Sequence, residues 1–261
     1  PEIINDEIES YCGAVCYFYN LDTYQKKLYT WSDGSILLFD WDNGNYINQI
    51  EIDWNVMENQ MTVDQSSGDF LLTTIGSGTS QSEIRRYNHS GVLLTIYTDP
   101  KVQHPQGTPL SINDKVFCAS RYDQNGFWEE NVLYWDSEGN YLGYFGTEAS
   151  SITDIAIDLD VIYLLNPNED IIYKYQINDN EVSYIQNINI SPLDPTWSGI
   201  DQIVAYNNYI YVQETYQKKW SKLDSTGFNL GSFDLENGIA GTYVSNLAIV
   251  YNFKPETKEA L

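Results

Sequence analysis

Polar residues with side-chain oxygens stand at one fixed offset before short aliphatic runs of this chain. They are Gln60, Asp154, Gln202 and Asn246, with Asp201 beside one of them. If each run is a strand that lines a common axis, these side chains form a ring at one rim. Calcium takes about six to eight oxygen ligands from carboxylates, amides and carbonyls, so the pattern predicts a calcium site. A polar rim hydrogen-bonded to ordered water is the alternative, and it stays open.

A second set combines aromatic rings with carboxylates in the polar segments between apolar runs. Its aromatic members are Trp54, Trp128, Trp197 and Tyr216, and its acidic members are Glu58, Glu129, Glu130, Asp194 and Glu236. Such neighbours suit stacking on a sugar ring or receipt of a cationic side chain. We therefore expect a surface that binds a protein or a carbohydrate. The alternative is that these Trp residues cap the sheet edges of their own repeat.

Residue types that carry out catalysis are few in this chain. It has two histidines, His89 and His104, which are too few for a three-His metal site. No nucleophile elbow, Walker loop or dinucleotide fingerprint accompanies them. Glycosidase chemistry needs only two carboxylates, and loop acids such as Glu58, Asp194 and Glu236 would meet that need. Non-catalytic binding is therefore favoured, and an enzymatic activity stays open as the alternative. Calcium is the one cofactor that the residues indicate.

The elements that must position these residues come from a unit that returns about every 45 residues, a period typical of stacked repeats or propeller blades. Each unit contains two apolar segments joined by a turn, at 37–50, 84–96, 132–145, 172–185 and 220–233. Four of the turns have a glycine shortly after an Asp, Asn or Ser, namely Gly44, Gly91, Gly139 and Gly227. The remaining unit has Asn178, Asp179 and Asn180 instead. These residues predict hairpins whose turns need a positive φ.

Two further apolar runs precede every hairpin, for example at 155–158 and 161–166. Four strands per unit are typical of a propeller blade, whose short aliphatic first strand lines the central channel. The sequence therefore predicts an all-β propeller in one domain, 1–261. Its blades are expected at 12–52, 60–99, 108–146, 152–190 and 200–234, with a partial blade at 243–253. That last inner-strand copy favours six blades, and five blades with a closing strand are the alternative.

The hairpins at 132–145 and 220–233 resemble those of the NHL and related six-bladed propeller repeats, whose pattern is aromatic-x-Asp-x-x-Gly-x-x-Leu. The resemblance extends over about residues 12–252. It concerns structural positions, so it brings no catalytic residue. It implies a propeller whose site lies at the mouth of the channel. Propellers of this kind include lactonases with a channel calcium ion, lyases, ligand-binding surface proteins and scaffolds, so the function must be argued from the site.

The chain is strongly acidic, with a formal charge of −24 from 37 acidic and 13 basic residues. Nucleic acid is disfavoured as a partner because its phosphates need a cationic stripe. Anionic membrane surfaces are disfavoured for the same reason. No apolar run reaches the roughly 20 residues of a membrane span, so no membrane insertion is expected.

Two Asn-x-Ser/Thr sequons predict N-glycosylation at Asn88 and Asn189, at a hairpin tip and at a strand end. Together with the acidic composition they favour an extracellular or cell-surface protein. The chain begins with Pro1, which suggests a processed or partial product.

The cysteines do not form a disulfide framework. Cys12 and Cys16 would lie about 13 Å apart in one strand, too far for a disulfide. We therefore expect buried free thiols at these positions and at Cys118.

These patterns predict a secreted or cell-surface, non-catalytic propeller that binds a protein or glycan through its channel-mouth loops. The alternative is a calcium-assisted hydrolase or lyase, of the lactonase or glycosidase kind, with the metal in the channel. A structural module of a larger surface assembly is the third interpretation.

Overall fold

The computed structural model describes most of the chain, and nearly all of the described residues lie in short strands and turns. The described residues are 15–20, 25–32, 35–40, 45–52, 57–64, 66–75, 82–99, 102, 104–124, 127–146, 152–178, 181–190, 193, 200–214 and 219–234. Within these ranges no helix is long and apolar enough to cross a membrane.

The strands of the described residues form five four-stranded antiparallel sheets, in which each strand pairs with the next one along the chain. We refer to the sheets as blades 1 to 5. Blade 1 contains β1 (Val15–Asn20), β2 (Gln25–Ser32), β3 (Ser35–Asp40) and β4 (Tyr46–Glu51). Blade 2 contains β5 (Met57–Val63), β6 (Phe70–Ile75), β7 (Glu83–Tyr87) and β8 (Leu93–Tyr97). Blade 3 contains β9 (His104–Ile112), β10 (Lys115–Gln124), β11 (Phe127–Asp136) and β12 (Tyr141–Phe145).

The last two blades have the same order of strands. Blade 4 contains β13 (Asp154–Asp158), β14 (Val161–Asn166), β15 (Ile171–Ile177) and β16 (Val182–Asn189). Blade 5 contains β17 (Ile200–Tyr206), β18 (Tyr209–Glu214), β19 (Lys219–Asp224) and β20 (Asn229–Asp234).

The hairpin between the third and fourth strands has the turn chemistry that the sequence predicts. Positive φ angles of 80°, 92° and 93° occur at Gly91, Gly139 and Gly227. Three residues before each of these glycines, an Asx side chain accepts hydrogen bonds from the backbone N–H groups two and four residues further on. These Asx residues are Asn88, Asp136 and Asp224.

The apolar core lies between successive blades. Alternate side chains of a strand point to opposite faces of its sheet. On β6, Phe70 and Leu72 pack in the cluster shared with blade 1, whereas Leu71 packs in the cluster shared with blade 3. Equivalent clusters lie between blades 3 and 4, around Phe117 and Ile155, and between blades 4 and 5.

The first strands of the blades contact one another in chain order, from β1 through β5, β9 and β13 to β17. Four-stranded blades that pack face to face around such inner strands are the architecture of a β-propeller. The predicted all-β propeller fold is therefore confirmed. The described residues contain five complete blades, and the partial blade predicted at 243–253 lies outside them.

Candidate functional site

Asp154 begins β13 and connects three inner strands. Its Oδ2 atom accepts a hydrogen bond from the backbone N–H of Ile203 on β17 at 3.0 Å. Its Oδ1 atom accepts one from the backbone N–H of Thr108 on β9 at 3.3 Å. Burial raises the pKa of Asp154 to about 7, although these backbone hydrogen bonds favour the ionised form and oppose the rise. The carboxylate at the start of β13 therefore joins the inner strands of blades 3, 4 and 5.

The described residues of the predicted calcium ring occupy equivalent positions on the inner strands of their blades. Gln60 is on β5, and Asp201 and Gln202 are on β17 beside a register shift. Asn246 lies outside the described residues. Among the described residues, no group of three or more His, Cys, Asp or Glu side chains comes together as a metal site would require. The carboxylate of Asp154 is the part of the ring whose contacts are defined, and the calcium site stays a prediction.

Several residues of the predicted aromatic and acidic set lie on strands. Glu58 is on β5, and Trp128, Glu129 and Glu130 are on β11. The remaining members, Trp54, Asp194, Trp197, Tyr216 and Glu236, lie outside the described residues. Whether the set forms one binding surface therefore stays a prediction.

Trp128, Glu129 and Glu130 were expected in a polar segment between apolar runs, but they lie on β11 in a long hairpin of blade 3. In that hairpin Tyr122 is paired with Glu129, and Asp123 is paired with Trp128. Aromatic residues favour strands, and cross-strand pairing prolongs the sheet, so polarity was a poor guide to the loop boundary. β5 and β9 begin at Met57 and His104, before the blade starts expected at residues 60 and 108.

The opposite end of the inner strands carries a second repeated carboxylate, which the sequence interpretation did not select. Asp158 at the end of β13 accepts a hydrogen bond from the backbone N–H of Asn208 in blade 5 at 2.6 Å. Asp64, directly after β5, accepts one from the hydroxyl of Ser111 in blade 3 at 3.0 Å. Each carboxylate therefore binds the next blade. In the sequence both residues directly follow an aliphatic run, and this shared position was the signal that could have identified them.

The outer edge of the propeller carries a feature that repeats in all five described blades. Between the third and fourth strands of each blade, one residue of the fourth strand is a β-bulge. The bulged residues are Ile47, Leu94, Leu142, Ile185 and Leu230. Each is an aliphatic residue with an exposed fraction between 42% and 49%. Bulges on edge strands hinder pairing with another chain, so here they present apolar side chains while blunting the edge.

The predicted glycosylation sites differ in their surroundings. Asn88 lies at the tip of the blade 2 hairpin, where its Oδ1 atom accepts hydrogen bonds from the N–H groups of Ser90 and Val92. Asn189 is the last residue of β16 and is exposed. Both sites are at the surface, as expected, and their modification stays a prediction.

The architecture and the edge together define a propeller with apolar side chains around its rim. No protein-family model matches the chain, and no curated protein matches it in sequence. Among solved structures, a protein of unknown function from Bacteroides caccae matches with a TM-score of 0.61 at 12% identity, over 87% of this chain and 82% of its own.

Two further solved structures are also similar. A chain of a nidogen/laminin complex has a TM-score of 0.61 at 9% identity, over 87% of this chain and 81% of its own. A functionally unknown protein from Desulfotomaculum acetoxidans has a TM-score of 0.57 at 13% identity, over 84% and 70%. Identities this low show a shared fold and leave the function to the site.

Proposed function

We propose that this protein is a secreted or cell-surface, non-catalytic β-propeller that binds a protein partner. The observation that carries the proposal is the exposed aliphatic residue that each of the five described blades presents at its bulge, for example Leu94 and Leu142. Groups of exposed apolar side chains, such as the consecutive Val92, Leu93 and Leu94 at the bulge of blade 2, are typical of sites where proteins interact. The similar nidogen/laminin chain is itself part of a protein complex, which fits this reading.

The outer edge supports the proposal more directly than the channel-mouth loops do. Most of the predicted loop residues lie outside the described residues, whereas the edge side chains are defined. A protein partner also fits this edge better than a carbohydrate, because its exposed side chains are largely aliphatic. The two sequons and the acidic composition support an extracellular or cell-surface location. The Gly-x-x-Leu end of each NHL-like hairpin pattern supports membership of that repeat class, since its leucine occupies the bulge at Leu94, Leu142 and Leu230.

Photo-crosslinking tests the binding function. A benzophenone-bearing amino acid is placed at Leu94 or, as a matched control, at Leu159, an exposed leucine in the turn between β13 and β14. The modified proteins are irradiated in the medium or surface fraction of the cells that produce them. One specific, saturable protein adduct formed at Leu94 and not at Leu159 supports the proposal. Failure of both positions to form such an adduct contradicts a partner at the edge.

Asp154 favours one second candidate, a calcium-assisted hydrolase or lyase. A buried carboxylate that is costly to ionise is common at functional sites, and calcium would compensate its charge. Calorimetric titration of calcium into metal-free protein and into Asp154→Asn tests this candidate. Binding that the variant loses, together with calcium-dependent hydrolysis of lactones or esters, would replace the non-catalytic proposal.

A further inference from the structure

Among the described residues, a group of exposed apolar side chains lies in or directly before β8 and β12, at the outer edge of blades 2 and 3. We call these residues the edge patch: Val92, Leu93, Leu94, Ile96, Tyr141 and Leu142. Their exposed fractions run from 38% to 57%. An apolar group of this kind on a solvated surface is characteristic of an interaction site.

Two blades form the patch, and buried aromatic residues hold them together. Tyr97 packs edge-to-face on Trp135 with ring centroids 6.2 Å apart, and Trp135 packs on Tyr141 at 6.0 Å. The Tyr97 hydroxyl donates to the carbonyl of Ser137, and Trp135 Nε1 donates to the carbonyl of Thr98, both at 3.3 Å. These contacts fix β8 against the blade 3 hairpin. A surface that is already rigid loses little conformational entropy when a partner binds.

Positive charge is scarce around the edge patch in the described part of the chain, and the chain as a whole is strongly acidic. None of the five outer strands contains a Lys or Arg residue. Both arginines of the neighbouring strand β7 are in ion pairs, Arg85 with Glu83 and Arg86 with Asp64 and Asp69. Glu138, at the hairpin tip between β11 and β12, is exposed, and the whole chain carries −24. A cationic partner is attracted by this field, whereas a second copy of the chain is repelled by it.

The bulge at Leu94 argues against simple extension of the sheet by another strand. Arg86 pairs with Thr95 and Tyr87 pairs with Leu93, so the pairing between β7 and β8 skips Leu94. Recognition at this edge therefore relies on side chains, with leucines and a tyrosine as the apolar contacts.

We propose that the edge patch docks a segment of a partner protein whose apolar side chains are flanked by lysine or arginine. This inference rests on the proposed binding function and adds the location and the chemistry of the partner. Apolar contact with Leu94 and Leu142 supplies affinity, and the acidic surroundings select the cationic flanks.

A fluorescently labelled short peptide of alternating Leu and Lys is the probe, and its anisotropy is measured on titration with the protein. Peptides of alternating Leu and Glu and of Lys alone are the controls. The protein variants are Leu94→Asp in the patch and Leu159→Asp outside it, which make the same change of charge. Far-ultraviolet circular dichroism and urea unfolding confirm that both variants are folded.

Leu94→Asp is expected to weaken Leu-Lys peptide binding roughly tenfold or more, while Leu159→Asp changes it less than about twofold. The Lys-only peptide should bind weakly and equally to both variants, and the Leu-Glu peptide should not bind. If both variants bind the Leu-Lys peptide as tightly as wild type or slightly more tightly, attraction to the overall charge alone explains the binding, and the inference is overturned. The absence of Leu-Lys binding, or a wild-type dimer that Leu94→Asp dissociates in analytical ultracentrifugation, would also overturn it. If Leu94 forms a specific crosslink to another protein and one of these results is also obtained, the binding function is supported and the cationic partner is ruled out.

Discussion

The carboxylate of Asp154 accepts a hydrogen bond from the backbone N–H of Ile203 across the boundary between blades 4 and 5, at 3.0 Å. The same side chain accepts from Thr108 on the other neighbouring blade. The bonds satisfy two backbone donors on inner strands, yet they place a carboxylate in a buried position where its charge is poorly solvated. Asp154 is therefore both a connection between blades and a source of pH-dependent stability.

The stability that Asp154 contributes should fall as pH rises from about 4 to 7. Burial raises its pKa to about 7 in the folded protein, above the ordinary value of 3.8, so the folded state holds the proton more tightly than the unfolded state. The contribution is complete below the unfolded pKa and is lost as pH rises through the folded pKa. Urea unfolding of wild type and Asp154→Asn at several pH values measures it. The stability of wild type relative to the variant should fall by on the order of a few kcal/mol across this window.

Asp136 provides a control, because its contribution to stability should change with pH in the opposite direction. Hydrogen bonds from the side chain and backbone of Asn140 lower its pKa in the hairpin of blade 3. Its contribution is therefore present above the unfolded pKa and is lost as pH falls through the folded pKa. Asp136→Asn keeps the turn, since Asn88 makes the same turn in blade 2. A wild-type advantage over Asp154→Asn that is constant with pH would contradict the burial of Asp154.

Gly139→Ala should destabilise the protein more than Gly231→Ala does. Both glycines have positive φ, at 92° and 133°, so both substitutions introduce backbone strain. A Cβ atom at Gly139 would also lie 2.9 Å from Thr95 Cγ2 and 3.1 Å from the carbonyl oxygen of Ile96, whereas none of the atoms around Gly231 would be within 4 Å. We expect Gly139→Ala to cost about 1 to 3 kcal/mol more, because it pushes two blades apart. Equal losses in urea unfolding would mean that the added Cβ atom at Gly139 is accommodated without strain between the blades.

The blade hairpins were predictable because their chemistry is local. A glycine with positive φ and an Asx side chain bonded to nearby N–H groups act within a few residues, as at Gly91 and Asn88. The four-strand repeat followed from the spacing of the hairpins and the aliphatic runs. These two signals were sufficient for the propeller architecture.

The contacts between blades were less predictable because their partners are backbone atoms far away in the sequence. The two N–H groups that bind Asp154 belong to residues 46 and 49 positions distant, and a sequence does not show where backbone donors point. The bulges at Leu94 and Leu142 were visible as a leucine at a fixed position, but the pattern did not reveal the extra residue. Trp128, Glu129 and Glu130 were misplaced between the apolar runs because paired residues extended the hairpin of blade 3.

Cys118 should be unreactive in the folded protein. It is fully buried between blades 2 and 3, and burial raises the pKa of its thiol to about 12. Since the thiolate is the reactive form, alkylation by iodoacetamide near pH 8 should be very slow until urea unfolds the chain. Peptide mass spectrometry after timed labelling distinguishes Cys118 from the other two cysteines. Rapid labelling of Cys118 without denaturant would contradict this packing.

Arg86→Met should be much more damaging than Arg85→Met, although the two residues are adjacent on β7. Arg86 binds Asp69 at 2.8 Å and Asp64 at 3.0 Å, and Asp64 also accepts from Ser111 of blade 3. Burial alone would raise the pKa of Asp64, but hydrogen bonds from Ser66 and Ser111 and the charge of Arg86 lower it. Removing Arg86 leaves buried carboxylates without their cation, which typically costs about 3 to 5 kcal/mol.

Arg85 serves as the control because its ion pair with Glu83 is partly exposed, and such pairs contribute about 1 kcal/mol or less. Arg86→Lys should fall between the two methionine variants, since one ammonium group replaces a guanidinium that reaches two carboxylates. Urea unfolding at neutral pH orders the three variants. The expected order places Arg86→Met lowest in stability and Arg85→Met nearest to wild type. If the two methionine variants lose the same free energy of unfolding, the Asp64, Asp69 and Arg86 network does not stabilise the junction of blades 2 and 3.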